Sequence, residues 1–508
     1  MLFNSHEFLF VFLPVTLAVF HLLRRPAPQW AIRWLLLCSL AFYAYWNPVF
    51  LPLLVSSIVV NYGLGVWLWR RPRKGPLWLG IGLNLAVLGV FKYAHFVAAN
   101  ILGEDHVPPF IAGIVLPLAI SFFTFQQIAF LVDIRRGRTA PGRWDVYALF
   151  IAFFPQLIAG PIVRHQQVES QLRRIGDRRR RVGPLFTVGL VLLVLGLAKK
   201  VLLADSLAPH ADAVFDFTLR GYGVGFVDAA IGTLAYTLQL YFDFSGYSDM
   251  AVGLGMMCGI RLPINFWSPY KATSIIEFWR RWHITLSAFF RDYLYIPLGG
   301  SRHGALRRYL NLLVVMGLVG LWHGAGWTFV IWGLWHGVLL ALAHGWRTLR
   351  ARGLPGLPLQ AGRPVHGRAR PLTPAAVLSW FLTLVAVCAG WVMFRAETLA
   401  SARAVLDGLA FHKGLYSSMA LIDPRLYWVA GGLIAVGLAV ALALPNSVQW
   451  VDRLARTHGL AAYAAPEGRR SMQVARLGWK FGMALGAMAY LAVATMSSAS
   501  TEFLYFNF

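Results

Sequence analysis

Apolar residues in this chain gather in runs of about 20 positions separated by short polar loops, the length a helix needs to cross a hydrocarbon layer of ~30 Å. The pattern predicts crossings at 7–23, 30–47, 48–69, 76–98, 110–131, 183–204, 226–250, 375–395, 426–445 and 477–497. The loops fit that order. Arg24, Arg25 and Arg33 mark the inside; Arg70, Arg71, Arg73 and Lys74 mark it again two spans later; Glu104 and Asp105 read outside; Arg135, Arg136, Arg138 and Arg143 return inside.

Two runs break the alternation. The run 144–163 is followed by seven arginines within 164–181, so both of its flanks read as cytosolic. The simplest resolution is that it dips in and returns, broken at Pro155 and at Gly160-Pro161. Irregular backbone at membrane depth is tolerated where protein or a water-filled cavity surrounds it, a first hint of a functional cavity. The run 309–346 is likewise basic on both sides. Its 38 residues, roughly 57 Å of helix, suit two passes with a turn near Gly324-Ala325-Gly326. The expectation is an all-α polytopic membrane protein with about 10–12 transmembrane helices plus re-entrant or broken segments. It forms one domain over 1–508: a motif-dense core at about 110–346, a flexible basic cytosolic loop at 347–374 and C-terminal helices over 375–497. Both termini are expected outside. Arg24 and Arg25 follow the first apolar run instead of preceding it, which predicts an uncleaved first span.

Composition agrees. Of 508 residues, 58% are hydrophobic and 13% charged, against about 25% charged in soluble proteins. Lys and Arg number 46 against 21 acidic residues, a net charge of +25. In a soluble chain that surplus would suggest nucleic acid; here it lies in loops between spans, so no nucleic-acid partner is expected. Attraction of anionic membrane lipids or of a phosphate-bearing donor stays open. Cys38, Cys258 and Cys388 lie far apart in apolar runs, without the spacing of a metal site, and read as small buried hydrophobes. Neither a GxxxxGK[ST] phosphate loop nor a GxSxG nucleophile elbow occurs.

Three stretches could carry chemistry. In Leu321 to Phe329, His323 sits mid-run beside Trp322, before the Gly324-Ala325-Gly326 break and Trp327. An ionisable group at such depth is a functional candidate by default. A neutral imidazole there could act as a general base, and the glycines would let a substrate approach the backbone. The competing role is an interhelical hydrogen bond, the reading preferred for His336 and His344. In Glu277 to Tyr293, helical spacing places Arg280, His283, Ser287 and Arg291 on one polar stripe, with Phe278, Trp282, Phe289 and Tyr293 on an apolar face. This is either an amphipathic helix at the cytosolic interface or a cationic face, including Arg281, toward an anionic donor. In Tyr241 to Asp249, the spacing of Asp243 and Asp249 argues against a paired-carboxylate acid/base site. Ion pairing with the arginines of the second stretch is preferred.

At these stretches the sequence resembles the membrane-bound O-acyltransferase family, most of all its bacterial branch of alginate O-acetylases and teichoic-acid D-alanyl transferases. The matching residues are Phe153-Phe154-Pro155-Gln156 to Ala159-Gly160-Pro161-Ile162, Asp243-Phe244-Ser245-Gly246-Tyr247-Ser248-Asp249-Met250, Phe278-Trp279-Arg280-Arg281-Trp282-His283 continuing from Arg291 to Gly300, and Trp322-His323-Gly324-Ala325 to Trp327. The closing Phe503 to Phe508 is similar as well. The likeness is dense over 1–345 and thin over 347–500. It implies acyl transfer from a thioester to a hydroxyl around a central catalytic pore, with His323 as the family's histidine and His283 at its second signature position. Arg280, Arg281, Ser287 and Arg291 would meet the donor. Asp243, Asp249, Gln156, Trp322 and Trp327 would be structural or line the pore. The resemblance implies no bound cofactor and no metal. It implies a donor such as acetyl-CoA or another acyl thioester, and O-acetylation of an exported polysaccharide such as alginate at the bacterial inner membrane, aided by periplasmic acetyl-transfer or polysaccharide-modifying proteins. Cellulose, peptidoglycan, teichoic acid or a relay protein are alternative acceptors. A transporter or flippase is the rival from another class.

Overall fold

A computed structural model describes residues 1–177, 182–351, 373–417, 424–457, 479–496 and 503–504. Most of the basic loop expected at 347–374, the arginines at 178–181 and the closing residues 505–508 lie outside the described residues. The described residues form helices joined by turns and irregular segments, with no strand among them. Six helices among them are long and apolar enough to cross a membrane: Pro48–Arg70, Lys74–Leu102, Val182–Leu219, Gly304–His323, Trp327–Arg350 and Pro374–Arg395. Phe8–Leu23 and Tyr427–Leu442 are shorter apolar helices. The chain is an all-α polytopic membrane protein.

The centre is the 32-residue helix Phe226–Met257, buried on every side from Ala235 onward. A helix apolar all round belongs in such a place, and its three carboxylates are paired. Lys200 Nζ lies 2.7 Å from Asp243 and 2.9 Å from Asp205, while Lys199 Nζ lies 2.7 Å from Asp249. Ion pairing was expected for these aspartates, but their partners are adjacent lysines of the preceding helix, not the arginines of the Glu277–Tyr293 stretch. Asp228 accepts hydrogen bonds from the Ser417 backbone and hydroxyl and from Tyr427. Between apolar helices in lipid, close backbone approach through small residues replaces the hydrophobic drive available in water. Val182–Ala198 meets the central helix through such residues: a Cβ on Gly246 would stand 2.7 Å from the Gly196 carbonyl, and one on Gly253 2.5 Å from that of Gly189.

The irregular segments fall near where loop charge placed them. The run 144–163 is a nine-residue helix, Trp144–Ala152, then a break at Phe153 and a four-residue helix, Phe154–Leu157. Nine residues span ~13 Å, too short to cross. Pro155 sits in the first turn of the second helix, where its missing N–H is harmless. The run 309–346 forms two helices, Gly304–His323 and Trp327–Ala351, turning at 324–326. Within the crossing expected at 110–131 the helix begins only at Ile120 and runs to Arg135, because Pro117 and a left-handed Ala119 interrupt the apolar run; at 16 residues it is not among the helices long and apolar enough to cross.

Candidate active site

His323 is the last residue of its helix and 3% exposed. Its ring stands 4.8 Å from Trp322, 5.1 Å from Trp332 and 5.1 Å from Phe394, edge-on to all three. At Gly324 the break is filled by protein. A Cβ on Gly324 would stand 2.1 Å from the Phe329 ring, so that glycine makes room for an aromatic side chain. The two helices flanking the turn are equally close, since a Cβ on Gly320 would lie 2.1 Å from the Phe329 carbonyl oxygen.

The stripe expected across Arg280, His283, Ser287 and Arg291 does not form, because its helix is two helices. Ser274 caps Ile275–Trp279 by accepting from the Glu277 backbone at 3.2 Å. Glu277 then pairs with Arg281 at 2.7 Å, and Arg281 also donates to the carbonyls of Trp267 and Ser268. Arg281 is therefore buried, and Arg280 alone of this turn is exposed. The chain reverses at His283, whose φ of 41° is left-handed. Such a backbone costs a non-glycine residue about 1–3 kcal/mol and persists only where its surroundings over-determine it. Here Ile284 donates to the Asn265 carbonyl at 3.0 Å, and the Asn265 side chain accepts from the Thr285 hydroxyl at 2.6 Å. The strained turn carries His283 into the interior, fully buried, 4.8 Å from Phe244 and 6.2 Å from Trp322. The two histidines thus share one indole.

Ser287, on the second helix Ile284–Phe290, and Arg291, opening the π-helical turn Arg291–Tyr295 that follows it, line a cavity of about 370 Å³. Its apolar wall is Val315, Met316 and Val319, and Val319 lies one helical turn before His323. Arg291, Arg308, Ser301 and His344 supply polar groups. Arg291 is also 2.8 Å from Asp292, which pairs with Arg164 as well. Although burial opposes its charge, these two arginines hold the Asp292 carboxyl below the usual carboxylate range. Arg308 contacts Tyr309, and among the described residues no carboxylate lies within ion-pair distance of it.

The other candidates separate. Gln156 is buried and donates to the Phe150 carbonyl at 2.6 Å, closing the broken segment on itself. Trp322 stacks on Phe125, whereas Trp327 is 53% exposed and donates to Asn100. Cys38, Cys258 and Cys388 are buried and unbridged. His336 is not the interhelical hydrogen-bonding residue expected: among the described residues neither ring nitrogen has a partner, and the ring is boxed by Phe278, Trp279, Trp332 and Trp391. Sequence reasoning missed Lys92, which is buried and donates to the Trp322 carbonyl. The signal was a lone lysine deep in the apolar run 76–98.

Known sequences resemble this chain over most of its length. Residues 145–353 match the profile of MBOAT, the membrane-bound O-acyltransferase family. A peptidoglycan O-acetyltransferase of Helicobacter pylori is 41% identical over 448 residues, 82% of this chain and 81% of the relative. A protein of Azotobacter vinelandii named probable alginate O-acetylase is 43% identical over 409 residues, 78% of this chain and 76% of its own length. A teichoic acid D-alanyltransferase of Lacticaseibacillus rhamnosus is 27% identical over 373 residues, 70% of this chain and 84% of that protein.

Proposed function

The chain belongs to the membrane-bound O-acyltransferase family and is an O-acyltransferase; from that premise we propose that it carries an acetyl group from a cytosolic thioester to a hydroxyl for O-acetylation of an exported polysaccharide such as alginate. The observation that carries this reading is the convergence of His283 and His323 on Trp322, one turn beyond a cavity with basic residues among its lining.

In this reading the donor enters from the side marked by Arg302, Arg307 and Arg308, which is cytosolic, and both termini face the periplasm across the inner membrane. Arg308 and Arg291 attract the donor's phosphates, and the apolar wall takes its thioester arm. A cavity of this size suits a small ligand. His323 accepts the proton of the attacking hydroxyl. The oxygen bonds to the thioester carbonyl carbon, the C–S bond breaks, and the departing sulfur receives the proton back through the imidazolium. His283 orients the reactants or relays the proton.

Acetyl-CoA and a carrier-protein thioester are both donors of the required chemistry. The Helicobacter relative favours a second acceptor, peptidoglycan, and delivery through a periplasmic relay protein fits the same site. The test is thiol release from acetyl-CoA by the purified protein. Release that depends on an added glycan hydroxyl or relay protein and on His323 supports the reading. A fully folded protein with no thioester cleavage toward either donor class overturns it.

A further inference from the structure

The Lys74–Leu102 helix does not run evenly past the His323 helix. Its middle, Gly89–Tyr93, is a π-helical turn, a local widening that changes which side chains face a neighbour. Two consecutive residues of that turn reach the end of the His323 helix. Tyr93 donates to the Leu321 carbonyl at 2.9 Å, and Lys92 Nζ donates to the Trp322 carbonyl at 2.5 Å, with the His323 carbonyl at 3.4 Å. Lys92 is 8% exposed and its ammonium stands over the Trp322 ring, 5.9 Å from the centroid. The last carbonyls of a helix lie beyond the reach of its own N–H groups and form the negative end of its dipole. A buried ammonium is costly in this medium unless something compensates it; the Trp322 and His323 carbonyls, the Ser121 hydroxyl at 3.5 Å and the Trp322 indole face do so.

We infer that Lys92 is a positioning residue for the acyl-transfer site. Its ammonium clamps the end of the His323 helix and the Trp322 ring, and so fixes where the His323 imidazole stands. This rests on the reading of His323 as the base. Lys92 touches no reacting atom in this scheme; it acts through the backbone that carries His323 and through the indole shared with His283. Loss of its charge would let the helix end shift, and a misplacement of about 1 Å can cost up to ~10²-fold in rate.

The experiment compares purified wild type, Lys92→Met, Lys92→Gln and Lys92→Arg, each normalised to folded protein, by acetyl-CoA thiol release with the acceptor present. Lys92→Met keeps the stem and removes the charge. The expected result is a kcat lowered by roughly 10–10²-fold with donor KM little changed, and partial recovery in Lys92→Arg. If Lys92→Met does not fold, Lys92→Gln, which retains an N–H donor, is read by the same split. In a His323→Gln background Lys92→Met should remove nothing further, because residues acting as one unit are not additive. Folded Lys92→Met or Lys92→Gln protein with wild-type kcat, or a full further loss in the His323→Gln background, overturns the inference. If His323→Gln alone stays active, the reading of the base fails instead, whatever Lys92 does.

Discussion

His283 and His323 come from separate segments and pack against the same indole, Trp322, with ring centroids 6.2 and 4.8 Å away. A continuous helix through Glu277 to Tyr293 would not produce this relationship. It depends on the left-handed turn at His283, which lifts that ring out of a surface stripe and into the core. It also depends on the helix stop at Gly324, which leaves His323 as a terminal residue beside Trp332 and Phe394.

The cavity separates the arginines by task. Arg308→Ala and Arg291→Ala should each raise the KM for acetyl-CoA, roughly 3–10-fold at low ionic strength and less in high salt. The larger effect is expected at Arg308, because Arg291 already pairs with Asp292. Arg280→Ala should leave the KM unchanged, since Arg280 is not among the residues lining the cavity. Steady-state kinetics at two salt concentrations check this. A KM that does not move in Arg308→Ala at low salt would remove this cavity from the donor path.

Close backbone packing beside His323 makes Gly320 and Gly317 opposite cases on one helix. Gly320→Ala places a Cβ 2.1 Å from the Phe329 carbonyl, whereas Gly317→Ala meets only the Leu334 side chain at 3.4 Å. The first should cost about 1–3 kcal/mol by overpacking, and the second should be neutral or slightly stabilising, as Ala is in helices. Thermal unfolding in detergent distinguishes them. Equal melting temperatures would mean the helix pair is looser than described.

Lys200 compensates two carboxylates at once, Asp243 and Asp205. Lys200→Met should therefore cost about 3–5 kcal/mol, the usual penalty for breaking a buried pair by removing one partner. Asp243→Asn should cost less, because Lys200 keeps Asp205. The triple change Lys200→Met, Asp243→Asn, Asp205→Asn should recover much of the loss. Folded yield and unfolding temperature across the set test this; a triple variant no better than Lys200→Met would show that the pairs contribute no coupling.

Loop charge and apolar run length revealed the membrane class, the broken 144–163 segment and the helix pair turning at 324–326, because each follows from local sequence. His323 stood out as a candidate for the same reason, as an ionisable group in an apolar run, whereas His283 was read on a polar stripe and its burial was not. What was not legible arises from side-chain packing and from contacts between segments. The helix that periodicity alone would continue breaks at His283, where Asn265 from another segment holds the left-handed turn through Ile284 and Thr285. The partners of Asp243 and Asp249 lie on another helix, at Lys200 and Lys199. Phe329 fills the space at Gly324 that the sequence left free for substrate. Lys92 looks like an isolated cation until the fold brings it to the Trp322 carbonyl.

In the proposed reaction His323 takes the acceptor's proton. Removing a general base costs about 10²–10⁴-fold in rate. His323→Gln keeps hydrogen-bonding capacity and approximate size but cannot accept a proton, and His336→Gln, altering a ring enclosed by Phe278, Trp279, Trp332 and Trp391, serves as a control for a buried histidine outside the proposed proton path. The decisive measurement is the ester content of the exported polymer in cells carrying each variant, normalised to folded protein in the membrane. Near-complete loss of acetylation is expected for His323→Gln and a much milder effect for His336→Gln. Near-normal acetylation with His323→Gln would contradict it and move the base to His283.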